Sequence, residues 1–195
     1  ANTISGNAIG LNASGGTVGN GSSVYTGNGV HVGDSSNTNL FTLNTVRGSA
    51  GNGVQVDSGA LNNTFTNNVV TGNGVDGVQI LGNTGPAATT GNSFSGNVLS
   101  GNTASGAHLI GAFATGNRFE NNSIGLGIGG MSALPNSVSG VVLQGAVNNT
   151  VISNFISGNT FVGAQIIEGA SGNTLSANKI GLNSQALSGG VGNSD

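Results

Sequence analysis

The chain has 195 residues, of which 38 are glycine and 30, counted along the sequence, are asparagine; only 5% are charged and the formal net charge is −3. The absence of cysteine excludes disulfides and thiolate metal sites, and a total of three basic residues argues against a nucleic-acid partner. Since no apolar run approaches the roughly 18 residues that a membrane-spanning helix needs, we expect no membrane insertion.

Two short motifs alternate along the chain. The motif Asn-x-Φ-x-x-Asn-x-Φ, with Φ apolar, occurs seven times, starting at Asn2, Asn39, Asn63, Asn92, Asn117, Asn149 and Asn173. The motif Gly-Φ-x-Φ occurs six times between these copies, starting at Gly29, Gly53, Gly77, Gly106, Gly140 and Gly163. Each repeat therefore offers three short segments of alternating apolar and polar residues, separated by Gly/Asn turns. This regular placement of apolar residues disfavours a disordered chain.

Segments of two or three residues are too short for a conventional sheet. They become stable if each one lies directly on the same segment of the next repeat, at about 4.8 Å. Most repeat spacings fall at 23–25 residues, which fits one turn of three such strands. The sequence thus predicts an all-β fold, a parallel β-helix (β-solenoid) of about seven coils with three short strands each.

Two columns of identical residues should run through the stacked coils. The second asparagine of each motif is predicted to occupy a sharp corner in left-handed backbone geometry and to bond to its neighbours as a ladder. The members of this ladder are Asn7, Asn44, Asn68, Asn97, Asn122, Asn154 and Asn178. An inward stack of rings is predicted from Phe41, Phe65, Phe94 and Phe119.

This pattern resembles the right-handed parallel β-helix repeat family of bacterial surface and secreted proteins, which also includes polysaccharide-active enzymes. The segments IGLNASGG, IGLGIGGM and IGLNSQAL resemble a variant found in large bacterial repeat proteins. The resemblance covers essentially the whole chain and implies a right-handed coil. It implies a fold and not a function.

Irregularities in the repeat indicate where function could lie. The connections after Ile9 and Ile124 are long and should lie on one side of the rod, whereas residues 81–92 leave the opposite end of a strand. They are spacers, packing flaps or part of a binding surface. The chain begins and stops within a repeat. We therefore expect 1–195 to be a single β-helix domain that is a segment of a longer solenoid or stacks head to tail.

Few side chains could carry chemistry. Asp34 and Asp57 follow equivalent strands in adjacent coils, and His31 lies on the strand before Asp34. These three are the best catalytic or calcium-binding candidates, but no larger constellation of acids and bases accompanies them. The sequence therefore favours a role without catalysis but leaves enzyme activity open, and we expect no cofactor and no metal site.

Two outward columns are candidate binding surfaces. The Gly-Φ-x-Φ strands present His31, Gln55, Gln79, His108, Val142 and Gln165. This column could hydrogen-bond glycan hydroxyls, or it could simply be a solvated glutamine ladder that aligns the strands. The next strand presents a Thr/Ser array typical of ice-binding solenoids, which Leu40, Arg118, Glu120 and Ile152 interrupt.

The favoured function is a structural or adhesive module at the cell surface or in the extracellular space. Its partners would be copies of itself, adjoining repeats of a larger chain, or glycans. The first alternative is a polysaccharide-binding or polysaccharide-processing module, and the second is an ice-binding surface. Glycan binding and thermal hysteresis are the measurements that separate them.

Overall fold

The computed structural model describes residues 1–21, 27–82, 87–183 and 192–193. These residues contain strands and no helix, so no helix is available to cross a membrane. The strands form three parallel sheets that run the length of a β-solenoid, with seven, seven and six strands. The all-β stacked fold predicted from the repeat is confirmed.

Each sheet collects one segment of the repeat. Sheet 1 contains the first half of the asparagine motif, as Thr3–Ser5, Leu40–Thr42, Thr64–Thr66, Ser93–Ser95, Arg118–Glu120, Thr150–Ile152 and Thr174–Ser176. Sheet 2 contains the second half, as Ala8–Ile9, Thr45–Arg47, Val69–Thr71, Val98–Ser100, Ser123–Ile124, Phe155–Ile156 and Lys179–Ile180. Sheet 3 contains the Gly-Φ-x-Φ segments, as Val30–Val32, Val54–Val56, Val78–Leu81, Ala107–Ile110, Val141–Gln144 and Ala164–Ile167. Thr89–Thr90 pairs separately with Ala114–Thr115.

The core lies between the three sheets and is built from the alternate, inward residues of every strand. The phenylalanine stack is confirmed, with centroid separations of 4.6, 4.4 and 4.6 Å along Phe41, Phe65, Phe94 and Phe119. Valine, leucine and isoleucine fill the facing positions, for example Val70 and Leu99 on sheet 2 and Ile80 and Leu109 on sheet 3. The motif glycines are required by close coil packing: a Cβ on Gly77 would lie 2.6 Å from the carbonyl oxygen of Gly106.

The predicted asparagine ladder is present, and two more accompany it. Along the predicted ladder, each side-chain amide donates to the Oδ1 of the next asparagine, as from Asn68 to Asn97 at 3.0 Å. A second ladder runs through the first asparagine of each motif: Asn2, Asn39, Asn63, Asn92, Asn117, Asn149 and Asn173. A third consists of Asn73, Asn102, Asn136, Asn159 and Asn193.

The left-handed corner residue is not the one predicted. Positive φ angles occur at the residue before each asparagine of the predicted ladder, namely Gly6, Leu43, Asn67, Gly96, Asn121, Ser153 and Ala177. The asparagine itself must point its amide inward to reach the coils above and below. The preceding residue, with its side chain outside the corner, therefore takes the left-handed turn.

Leu43 is the least suitable of these corner residues, and this leads to a prediction. It has a φ of 56° and its side chain is 63% exposed, so it is strained and contributes little burial. We expect Leu43→Asn to raise the free energy of unfolding by about 1 kcal/mol, because asparagine tolerates left-handed geometry best among residues with a Cβ. Urea denaturation measures the gain. Leu40→Asn, at a position without positive φ, is the control; an equal change in both variants would contradict the prediction.

The long connections fold back as small hairpins. An antiparallel bridge joins Leu11 to Thr17, and another joins Leu126 to Ala133. The first hairpin places Thr17 against Gly48, and in the second the carbonyl oxygen of Leu134 accepts the backbone N–H of Gly101. Gly48 and Gly101 both follow strands of sheet 2, so the two hairpins lie on one side of the rod, as predicted. Residues 22–26 and 83–86 of the long connections lie outside the described residues.

Candidate functional site

The outward column of sheet 3 has the register expected from the sequence. His31 lies beside Gln55, Gln55 beside Gln79, Gln79 beside His108, His108 beside Val142, and Val142 beside Gln165. The glutamines do not form a simple ladder, because Asn52 donates to both Gln55 Oε1 (3.3 Å) and Gln79 Oε1 (3.1 Å) and bridges them. The column is thus part of a wider hydrogen-bonded surface.

This surface, which we call the polar ribbon, runs along sheet 3 through six coils. Its members are His31, Asp57, Gln55, Asn52, Gln79, Asp76, His108, Gln144 and Glu168. Every neighbouring pair in this order is joined by a side-chain hydrogen bond of 2.6–3.3 Å. Such a connected network holds its polar groups in fixed positions along the face.

At the N-terminal end of the ribbon, His31 pairs with Asp57 and not with Asp34. Its Nε2 lies 3.0 Å from Asp57 Oδ1, while Gln55 donates to Asp57 Oδ2 at 2.6 Å. Burial acts to raise the pKa of Asp57, but the hydrogen bonds from Gln55 and His31 outweigh it, and the pKa is lowered. Asp34 is exposed with a φ of 52°, and no bond from its carboxylate to His31 or Asp57 is present. The three candidate residues therefore do not form one catalytic group.

The centre of the ribbon is the buried carboxylate of Asp76, which is only 1% exposed. Its Oδ1 accepts the backbone N–H of Ser105 in the next coil at 2.8 Å. In the same way, Asn52 Oδ1 in the preceding coil accepts the backbone N–H of Asp76. Asp76 Oδ2 faces Gln79 Nε2 and His108 Nδ1, each at 3.2 Å. Sequence reasoning singled out Gln79 and His108 but missed Asp76 as their common partner, because Asp76 belongs to a turn.

The C-terminal part of the ribbon leads from His108 to the surface. His108 Nε2 lies 2.8 Å from Gln144 Oε1, and Gln144 Nε2 donates to Glu168 Oε2 at 2.9 Å. Burial acts to lower the pKa of His108. The hydrogen bond and the charge of Asp76, the hydrogen bond to Gln144 and the charge of Glu168 act to raise it. These effects outweigh burial, and the pKa of His108 is raised.

An apolar column runs beside the polar ribbon. It consists of Val75, Ala104, Val138 and Phe161, each joined to the previous one by a backbone N–H to carbonyl bond of 2.8–3.1 Å. Val138 is 41% exposed and Phe161 is 48% exposed. Between the apolar column and the ribbon lies an open groove of about 380 Å³, lined by residues that include Val138, Ser105, His108, Gln144, Gln165 and Ile167. The groove is amphipathic and follows the stacking of the coils.

Charge is divided between the faces of the rod. Among the described residues, Asp34, Asp57, Asp76 and Glu168 border sheet 3, whereas Arg47 and Lys179 belong to sheet 2 and Arg118 to sheet 1. The groove is therefore lined by the Asp76 carboxylate and the His108 imidazole, and by no lysine or arginine. Within the described ranges, no three histidine or acidic side chains are grouped so that they could hold a metal ion.

The Thr/Ser array lies on sheet 1 and is divided near its middle. Arg118 Nε donates to Glu120 Oε2 at 2.9 Å, and this bond lowers the pKa of Glu120. The pair lies between the strands Ser93–Ser95 and Thr150–Ile152, so the outward hydroxyls form two separate patches.

Comparison with known proteins bears on the fold. No protein-family model and no curated protein matches the chain. It is similar to the Azotobacter vinelandii mannuronan C-5 epimerase AlgE4 A-module, with a TM-score of 0.50 and 17% sequence identity. The chain is a parallel β-helix. The match covers 76% of this chain and 50% of the epimerase module, so the β-helix described here spans half the length of its structural neighbour.

Proposed function

We propose that this β-helix is a polysaccharide-binding module and that the groove on sheet 3 is its binding site. The observation that carries the proposal is the polar ribbon beside the apolar column, both running along the coil axis. A sugar ring has an apolar C–H face and a rim of hydroxyls, and such an amphipathic groove offers partners for both. A linear polymer lying along the axis would meet a new set of groove side chains at each coil, about 4.8 Å apart.

The chemistry of the groove favours an uncharged polysaccharide. Asp76 lines it and Glu168 is bonded to its lining residue Gln144, whereas its one basic side chain is His108. An acidic polymer would therefore meet net negative charge even when the His108 ring is protonated. The structural neighbour is an enzyme acting on mannuronan, which supports a glycan ligand for this type of solenoid. We propose binding and not turnover, since the histidines and carboxylates here are engaged with one another and with amides.

Direct binding measurements test this function. We expect soluble uncharged oligosaccharides to bind in calorimetric titrations and oligouronates to bind more weakly. Val138→Asp should lower the affinity about tenfold or more, a loss of about 1.4 kcal/mol, because it places a charge in the apolar wall. Ser95→Ala, on the outward face of sheet 1, is the matched control and should leave the affinity unchanged. Failure of every uncharged glycan to bind, or equal losses in both variants, would refute the proposal.

A structural role is a second proposal, supported by the direction of the ladders. Each ladder asparagine donates to its equivalent in the coil that follows, as Asn154 does to Asn178, so the ladders join coil to coil along the rod. A rod held together in this way suits a structural module. Head-to-tail stacking, an adhesive role, an extracellular or cell-surface location and ice binding by sheet 1 stay predictions.

A further inference from the structure

The hydrogen bonds around His108 determine its protonation state. Asp76 Oδ2 faces Nδ1, and the other oxygen of this carboxylate already accepts a backbone N–H. Nδ1 must therefore carry a proton to be a donor. On the other side, Gln144 directs its NH₂ group to Glu168, which leaves its oxygen toward His108 Nε2. An oxygen accepts, so Nε2 must also carry a proton. The two contacts are satisfied together only by the imidazolium form.

The charged groups that surround the ring agree with this assignment. Asp76 comes from the turn before Val78–Leu81, and Glu168 follows Ala164–Ile167. The strand Val141–Gln144, which packs directly on the strand of His108, contributes no charged side chain. Within the described residues no cation contacts the ring, so His108 lies between two anionic groups and next to no competing positive charge.

Loss of one proton would change the geometry of the groove wall. With Nδ1–H retained by Asp76, neutral His108 presents a lone pair at Nε2. Gln144 Oε1 cannot remain 2.8 Å from that lone pair, so the amide must turn over and donate its NH₂ to Nε2. The amide oxygen then faces the Glu168 carboxylate, and the bond that holds Glu168 is lost. Because Gln144 lines the groove, the protonation state of His108 determines how the Gln144 amide is oriented in the groove wall.

We propose that His108 is a protonation switch for the sheet 3 groove: its charged form fixes Gln144 and Glu168 in one arrangement, and its neutral form turns the amide and releases Glu168. The effect on ligand binding rests on the proposed polysaccharide function. We assign binding to the charged form, in which the wall is ordered. Since the pKa of His108 is raised, the stabilisation that its charge provides is complete below its ordinary value of 6.5. That stabilisation is lost as the pH rises through the higher folded-state pKa.

The switch itself can be tested without any glycan. An NMR titration of the His108 Cε1–H signal should give a pKa above 6.5, and the Gln144 side-chain N–H signals should move with the same midpoint. Glu168→Gln should lower the pKa of His108, because a neutral amide replaces the carboxylate at the end of the relay. Glu120→Gln, on sheet 1, should leave it unchanged. A His108 pKa at or below 6.5, or Gln144 side-chain N–H signals that do not shift during the titration, would overturn the switch.

The link to binding is tested with an uncharged oligosaccharide. If only the charged form binds, the affinity should fall about tenfold for each pH unit above the His108 pKa. By reciprocity, saturating glycan should raise that pKa, and His108→Gln should abolish the pH dependence. Glycan affinity that is constant across the transition would overturn the link. Absence of glycan binding at every pH, with the NMR transition intact, would refute the proposed function and leave the switch supported.

Discussion

An Asn68→Ala variant is expected to lose about 2–6 kcal/mol of unfolding free energy, because each buried polar group left without a partner costs about 1–3 kcal/mol. The Asn68 amide donates to Asn97 Oδ1 and to the carbonyl of Phe41, each at 3.0 Å. Its Oδ1 accepts both the backbone and the side-chain N–H of Asn44, at 2.9 and 3.0 Å. Truncation removes all four bonds at a corner that is only 4% exposed. At least two buried backbone groups, Asn44 N–H and Phe41 C=O, then lack their partners.

The adjacent residue provides the control for this prediction. Asn67 has a φ of 54° and takes the left-handed turn at the same corner, where two other coils have glycine. Asn67→Gly therefore preserves the backbone and removes an amide outside the ladder, and we expect it to change stability by less than about 0.5 kcal/mol. Guanidinium denaturation followed by circular dichroism compares the two variants. If Asn67→Gly destabilises the rod as much as Asn68→Ala, the inward ladder is not the source of stability.

The sequence is sufficient to predict the stacked fold because the structural roles repeat. Phe65 and Asn68 have equivalents, Phe94 and Asn97, in the next coil. Strands that pair in register place these equivalent residues directly against each other. The sequence places the left-handed residue one position too late, at Asn68 instead of Asn67, because both residues are compatible with a turn by residue type. Only the inward direction of the Asn68 amide distinguishes them, and that direction is a property of the folded corner.

The third ladder and the groove are harder to predict for a common reason. Asn73, Asn102 and Asn136 lie in connections of variable length, with separations of 29 and 34 residues. Their alignment depends on how each connection returns to the coil, and the motif does not record this. Two groove residues lie in the same connections: Asp76 follows Asn73, and Val138 follows Asn136. The candidate site is therefore assembled by connections, whereas the repeat predicts only its strand residues, such as Gln79 and His108.

The phenylalanine stack leads to a second large effect. Phe94 lies between Phe65 and Phe119, with centroids 4.4 and 4.6 Å away and interplanar angles of 3° and 4°. We expect Phe94→Ala to lower the free energy of unfolding by about 3–5 kcal/mol, through lost burial and a cavity that paired backbones on both sides cannot close. Chemical denaturation measures this loss. Phe113→Ala is the control, since Phe113 is 47% exposed and lies outside the stack; an equal loss there would contradict the prediction.

The contribution of stacking can be separated from that of burial, because Phe94 has two ring neighbours in the stack whereas Phe41 has one. Leucine keeps most of the apolar volume and removes the ring, so Phe94→Leu should cost about 0.5–1.5 kcal/mol more than Phe41→Leu. A double-mutant cycle of Phe65→Leu and Phe94→Leu should show coupling of similar size, since the two rings are in direct contact. Additive losses would mean that the rings act only as apolar filling. Coupled losses would mean that ring contact between neighbouring coils itself stabilises the rod.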